Sequence, residues 1–172
     1  MKIVILGAGQ VGATLAESLA SEKIDITIVD SDAPRLRELQ DRLDIGTVAG
    51  HAAHPDVLHD AGIEDADMLV AVTGIDEINM MACQIAHSLY RTPTKICRIR
   101  SNNYVSQKDK LFYNEAIPVD VIIAPEQLVT EHIIGLLEYP GALQVLNFAG
   151  GAVQLIAIRA QAGDKFIGET LY

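Results

Sequence analysis

The sequence predicts an α/β chain: a Rossmann-like, doubly wound parallel sheet, then a crossover helix, then the truncated start of a second α+β subdomain. Three observations carry this reading. Short β-branched runs alternate with helix-period segments along the first 124 residues, a pattern that gives a parallel sheet covered on both faces. The first such run ends in "GAGQVG" at 7–12, a glycine turn at a strand-to-helix junction. After Ala124 the alternation stops at Pro125 and a broadly apolar helix begins.

"KIVIL" at 2–6 reads as a strand buried on both faces. Val11, Leu15 and Leu19 recur at helical spacing from Gln10 to Ser21. The alternation continues as strand Ile24 to Val29, helix Pro34 to Leu43, strand Ile45 to Ala49, helix Pro55 to Ala61 and strand Met68 to Val72. A long helix Ile75 to Tyr90, strand Lys95 to Ile99, a helical stretch around Tyr104 to Asn114 and strand Val119 to Ile123 complete the first domain, 1–124. Segment 125–142 is the crossover helix and linker, and 143–172 opens the second subdomain with strands Leu143 to Phe148 and Val153 to Arg159. The chain stops at Tyr172 without a closing element, so a longer protein is expected.

The helix "PEQLVTEHIIGLLEY" carries Leu128, Val129, His132, Ile133, Ile134, Leu136 and Leu137, an apolar surface too wide for one sheet. It is expected to bury a second face against another chain or domain; packing between two subdomains of one chain is the alternative.

Composition excludes several classes. With 13 Lys and Arg against 23 Asp and Glu the formal net charge is −10, and no basic run occurs, which argues against nucleic acid and against direct lipid binding. No apolar run approaches the roughly 20 residues of a transmembrane helix. Cys83 and Cys97 are the two cysteines; neither lies in a CxxC pair, and both read as reduced, buried thiols in a cytoplasmic protein. No metal site is expected.

Gly7, Gly9 and Gly12 form GxGxxG. The first permits the tight turn, the second lets backbone approach a pyrophosphate, and the third lets the helix pack closely on the strand. The second strand ends at Asp30, 18 residues after Gly12 (30 − 12), near the offset of the acid that holds a ribose. A carboxylate there accepts from both ribose hydroxyls and repels a 2′-phosphate, favouring NAD(H) or an adenosine nucleotide over NADP(H). Asp30, Ser31 or Asp32 could instead cap the following helix.

Further candidates lie at other strand ends, where open α/β sheets bind ligands. "AGHAAHP" follows the third strand and offers His51 and His54; polar loop residues are the alternative. "VTGIDEIN" follows the fourth and offers Thr73, Gly74, Asp76 and Asn79, with helix capping the alternative for Thr73 and Asp76. "CRIRS" places Arg98 and Arg100 two apart on one strand, both on one face and able to address phosphates, or to form surface ion pairs. His87 and His132 lie within helices and read as packing residues. No general acid or base beside a second, substrate-holding region is legible, so binding rather than catalysis is expected, with no catalytic residue assigned.

"MKIVILGAGQVGATLAESLA", "VAGHAAHPDVLHDAGIEDADMLVAVTGIDEINMMACQIA", "TKICRIRS" and "IAPEQLVTEHIIGLLEYPGALQV" together resemble the RCK (KTN) family of potassium-transport regulators over residues 1 to about 147. "GDKFIGETLY" is similar to the start of that family's C-terminal subdomain. The resemblance implies a cytoplasmic module that binds NAD(H), or ATP/ADP, and transmits the bound state to a membrane potassium-transport subunit of the TrkH/TrkG type, at the inner face of the cell membrane. It implies a homo-oligomer, dimer or tetramer, in which the helix after Pro125 crosses to a partner subunit. Carried over by residue, Gly7, Ala8, Gly9, Gln10, Val11 and Gly12 would cradle phosphates and Asp30 would hold the ribose, beside Ser31 and His51. Thr73, Gly74, Asp76 and Asn79 would line the cleft, and Arg98 and Arg100 would meet distal phosphates or the neighbouring subunit's nucleotide. Many members have Gly-Asp after the third strand where this chain has Gly50-His51, and a small residue where it has Cys97. The competing expectations are an NAD-dependent dehydrogenase fragment lacking its substrate domain and, less compatible with the acidic balance, a redox-sensing DNA-binding repressor.

Overall fold

The computed structural model describes residues 1–22, 24–113, 115–148 and 151–160. They form two compact units, Met1–Ala124 and the chain from Pro125 onward. The segment "GDKFIGETLY", read above as the start of a further subdomain, lies outside the described residues.

The first unit is a six-stranded parallel sheet in the order β3-β2-β1-β4-β5-β6, the order of a doubly wound dinucleotide-binding fold. β1 (Lys2–Leu6) lies between β2 (Asp25–Asp30) and β4 (Met68–Ala71), so Ile5 pairs with Ile28 on one side and Val70 on the other. Beyond these stand β3 (Gly46–Ala49) on one flank, and β5 (Thr94–Arg98) and β6 (Val121–Ile123) on the other. The central strand is apolar throughout because both of its faces are covered. Ile3 and Ile5 join Ile26, Ile28 and Val70 beneath α1 (Gln10–Ala20) and α2 (Ala33–Gln40). Val4 and Leu6 join Leu58, Leu69 and Cys97 beneath α3 (Pro55–Asp60) and α4 (Asp76–Ile85). Both cysteines are fully buried and free.

Several boundaries differ from the sequence reading. The long helix expected to Tyr90 is α-helical only to Ile85 and widens into a π turn over Ala86–Tyr90, closed by Arg91 in the left-handed region at φ 55°. The helical stretch expected around 104–114 is two single-turn helices, α5 (Asn102–Val105) and α6 (Lys108–Leu111). β5 closes at Arg98, so Arg100 stands beyond the strand instead of sharing its face with Arg98.

The second unit holds α7 (Pro125–Glu138) and an antiparallel hairpin of β7 (Ala142–Phe148) and β8 (Val153–Ile158). Buried Gly135 lets α7 approach Val145, whose side chain would lie 3.2 Å from an added Cβ. Leu128, Val129, Ile133 and Leu137 of α7 are each more than half exposed. His132, read above as a packing residue, is exposed as well. Among the described residues no helix is long and apolar enough to cross a membrane.

Candidate functional site

The carboxyl ends of β1, β2 and β4 converge on the glycine turn. Gly7 adopts φ 102°, and an added Cβ would meet Thr73 Cα at 3.0 Å and the Val72 carbonyl oxygen at 3.1 Å; both facts demand glycine. Gly12 faces inward along α1, where an added Cβ would lie 1.8 Å from the Gly7 carbonyl oxygen. Gly9 is different. It caps α1 with φ −69° and ψ −173°, a conformation open to any residue, and an added Cβ would meet nothing within 4 Å. The fold needs Gly7 and Gly12 but has no use for Gly9, which stands with open space beside it at the N-terminus of α1. Gln10 and Val11 are exposed there on the first turn of the helix, and Ala8 is buried beneath it.

Asp30 ends β2 beside this turn. Its Oδ2 accepts from the Ala8 N–H at 2.6 Å and its Oδ1 from the Asp32 N–H at 2.8 Å. Asp32, not Asp30, is the cap of α2, accepting from the Arg35 N–H. Ser31 is exposed between them. Each carboxylate oxygen of Asp30 still has acceptor capacity for a hydroxyl donor. The Gly50 N–H donates to the Asp30 carbonyl, which sets the following loop next to this strand end. There exposed His51 accepts from the Ala53 N–H through Nδ1 and stacks 4.6 Å from the His54 ring.

On the other side of the turn, Thr73 and Gly74 follow β4. Gly74 is exposed with open space where a Cβ would stand, and Ile75, which the sequence reading did not single out, is 52% exposed at the N-cap of α4. An isoleucine there reads in sequence as core, which is why it escapes notice. Asp76 and Asn79 depart from their expected places on the cleft wall. Asp76 is 8% exposed and accepts from the Arg100 N–H at 3.1 and 3.0 Å and the Ser101 N–H at 2.8 Å. Asn79 has no exposed surface; its amide is spent on Thr73 and the Arg98 carbonyl. Neither is placed to touch a ligand directly, because the chain's own backbone takes their polar atoms. Arg98 is partly exposed, with a buried Nε that has no hydrogen-bond partner among the described residues, and Arg100 is exposed.

The geometry therefore brings together the helix N-terminus, a glycine with an open side, and an acid at the neighbouring strand end. That is the arrangement in which an adenosine diphosphate moiety fits: phosphate oxygens against helix N–H groups, ribose hydroxyls against a carboxylate. Among the described residues no cluster of His, Cys, Asp and Glu could hold a metal ion.

Residues 3–125 match the family model described as TrkA-N domain. The chain belongs to the TrkA-N domain family. A relative named Trk system potassium uptake protein TrkA, from Halomonas elongata, is 63% identical over 171 residues, covering 99% of this chain and 37% of its own length. This chain thus spans little more than a third of that relative. Among solved structures, the GsuK channel bound to NAD superposes with a TM-score of 0.63 at 19% identity, over 84% of this chain and 27% of that one. The Shewanella denitrificans Kef CTD in AMP bound form superposes with a TM-score of 0.62 at 19% identity, over 81% and 82%. At these identities the superpositions establish the shared fold of the TrkA-N domain.

Proposed function

We propose that this TrkA-N domain is the nucleotide-sensing part of a regulatory subunit of a bacterial potassium-uptake system, acting by binding and not by catalysis. The observation that carries the ligand is Gly9: a glycine that neither backbone geometry nor neighbouring atoms require, standing open before a helix N-terminus and beside Asp30. The ligand is NAD(H), with ATP/ADP as alternatives, because Asp30 suits the adenosine ribose that all of them share. Ala8, Gln10, Val11 and Gly12 form the turn around the phosphates, Asp30 and Ser31 the ribose side with His51, and Thr73, Gly74, Arg98 and Arg100 the opposite wall.

The name of the Halomonas elongata relative supports the potassium-uptake role. The exposed apolar residues of α7 support a homo-oligomer, dimer or tetramer, through that helix. The partner is a membrane potassium-transport subunit of the TrkH/TrkG type, reached from the cytoplasmic side. A nucleotide that binds one arrangement of the assembly more tightly shifts the population toward it, and the favoured arrangement binds that nucleotide more tightly in return.

The test is calorimetric titration with NADH, NAD, ATP, ADP and NADPH against wild type and Gly9→Val. Binding by wild type, weak or absent for NADPH and lost in the variant while its circular dichroism is unchanged, is the expected result. Equal binding by the variant, or none by wild type, overturns the assignment.

A further inference from the structure

The first turn of α4 faces two strand ends at once. From Asn79, fully buried, Oδ1 accepts from the Thr73 N–H at 3.0 Å and the Thr73 hydroxyl at 2.6 Å, while Nδ2 donates to the Thr73 carbonyl at 3.3 Å and the Arg98 carbonyl at 3.0 Å. One side chain thus ties Thr73, two residues after β4, to the last residue of β5. One turn earlier on the same helix, the Asp76 carboxylate takes the N–H groups of Arg100 and Ser101. Thr73 is in turn the residue packed on Gly7, close enough that a methyl group there would meet its Cα at 3.0 Å. The chain of contacts runs from Arg98, through Asn79 and Thr73, to the glycine turn.

We infer that Asn79 and Asp76 are positioning residues of the nucleotide cleft: without touching the ligand, they set the β4–α4 loop against the glycine turn and lock the Arg98–Ser101 segment to it. The role rests on the nucleotide reading of the cleft. Asparagine is the residue this task requires. Its single amide presents an acceptor to the Thr73 donors and donors to two carbonyls, a division that neither a carboxylate nor an aliphatic side chain of similar size reproduces. A buried polar network in which every member is satisfied also has one preferred geometry, which makes the loop a preformed wall. Asp76 contributes the complementary half, a carboxylate that accepts charge-assisted bonds from two successive N–H groups.

The experiment compares wild type, Asn79→Asp, Asp76→Asn and, as a control matched for lost stability, Ile63→Val, a fully buried residue on the turn after α3. Asn79→Asp keeps the acceptor, loses both donors and buries a new charge; Asp76→Asn tolerates folding better because it keeps an acceptor and buries no new charge. NADH and ADP are titrated into each at a temperature where circular dichroism reports a folded chain, and amide exchange at Arg100 and Ser101 is followed without nucleotide. Positioning predicts Kd raised about tenfold or more in both variants, the affinity equivalent of a lost buried hydrogen bond. It also predicts faster exchange at Arg100 and Ser101 in Asp76→Asn, which loses the charge and one acceptor oxygen, and no change of Kd in Ile63→Val. Kd within twofold of wild type in the folded variants overturns the role, as does an equal loss in Ile63→Val, which would reduce it to general stability. If Asn79→Asp does not fold, Asp76→Asn decides by the same criteria. Faster exchange in Asp76→Asn with no binding even by wild type overturns the nucleotide reading instead, and the role with it.

Discussion

The Ala8 N–H donates to Asp30 Oδ2 across 2.6 Å, and this contact joins the end of β2 to the glycine turn that follows β1. Ala8 is buried, so its N–H has no water to turn to when the carboxylate is removed. The Asp32 N–H loses its acceptor in the same substitution. Asp30 therefore supports the turn as well as serving the proposed ribose contact.

Asp30→Ala is expected to lower stability by about 1–3 kcal/mol, the cost of leaving a buried donor unpaired, and to weaken NADH and ADP together. Asp30→Asn keeps an acceptor for Ala8 and recovers part of the stability, yet loses the charge that excludes a 2′-phosphate. Its NADPH affinity should approach its NADH affinity. Denaturant melts and calorimetry on the two variants separate these contributions; a NADPH-to-NADH ratio unchanged in Asp30→Asn would remove Asp30 from the specificity argument.

Gly12 and Gly9 should respond in opposite ways. Gly12→Ala places a methyl 1.8 Å from the Gly7 carbonyl oxygen, so backbone must shift, at a cost of about 3 kcal/mol or more. Gly9→Ala meets nothing within 4 Å and has ordinary dihedrals, so its melting temperature should stay within a few degrees of wild type, or rise slightly as the unfolded chain loses freedom. Thermal melts of the two variants side by side check this contrast.

This difference marks how far sequence alone could reach. The turn, the second-strand acid and the parallel alternation were legible because each depends on local pattern: β-branched runs, helical spacing, glycine at a junction. The motif also separates Gly7 and Gly12, which the turn and the helix packing need, from Gly9, and the atoms around each glycine show the same division. The partners of Asp76 and Asn79 were not legible. A polar residue at a helix start reads as a cap or a ligand contact, and only the meeting of β4 with β5 supplies the backbone groups they bind instead. Arg98 and Arg100 look alike in a strand-like run, but β5 closes between them. The π turn at Ala86–Tyr90 left no sequence signal, and Arg91 stands where a left-handed cap ordinarily selects glycine.

Glu77 accepts a 2.8 Å hydrogen bond from the Tyr104 hydroxyl, linking α4 to α5. This bond holds the Glu77 carboxyl below its ordinary pKa and the Tyr104 phenol above its own. A carboxyl whose folded pKa is depressed contributes stability above its unfolded pKa and loses it as pH falls through the folded value. A phenol whose folded pKa is raised contributes below its unfolded pKa and loses it as pH rises through the folded value. The bond thus acts between the carboxylate and phenol ranges. In Tyr104→Phe, the Glu77 carboxyl titration followed by NMR should move up toward the ordinary glutamate value. No movement would mean that the bond does not persist in solution.

Lys95 and Asp120 pair at the opposite end of β5 from the cleft. The ammonium lies 2.8 Å from Asp120 Oδ2 and also donates to the Thr92 carbonyl at 3.1 Å, with its side chain 4% exposed against 37% for Asp120. Asp120 Oδ2 accepts from the Lys95 N–H as well, at 2.6 Å. Removing the acid leaves a buried cation, so Asp120→Ala should destabilise by about 3 kcal/mol, moderated by the partial exposure of the acid's site. Replacing the cation with an apolar side chain of similar length strands only an exposed-side carboxylate that still caps the Lys95 backbone. Lys95→Met should therefore cost about 1 kcal/mol or less, and the double variant less than the sum of the single ones. Urea denaturation of the three variants measures the coupling. Additive effects would mean that the pair is held apart in solution, with each partner solvated on its own.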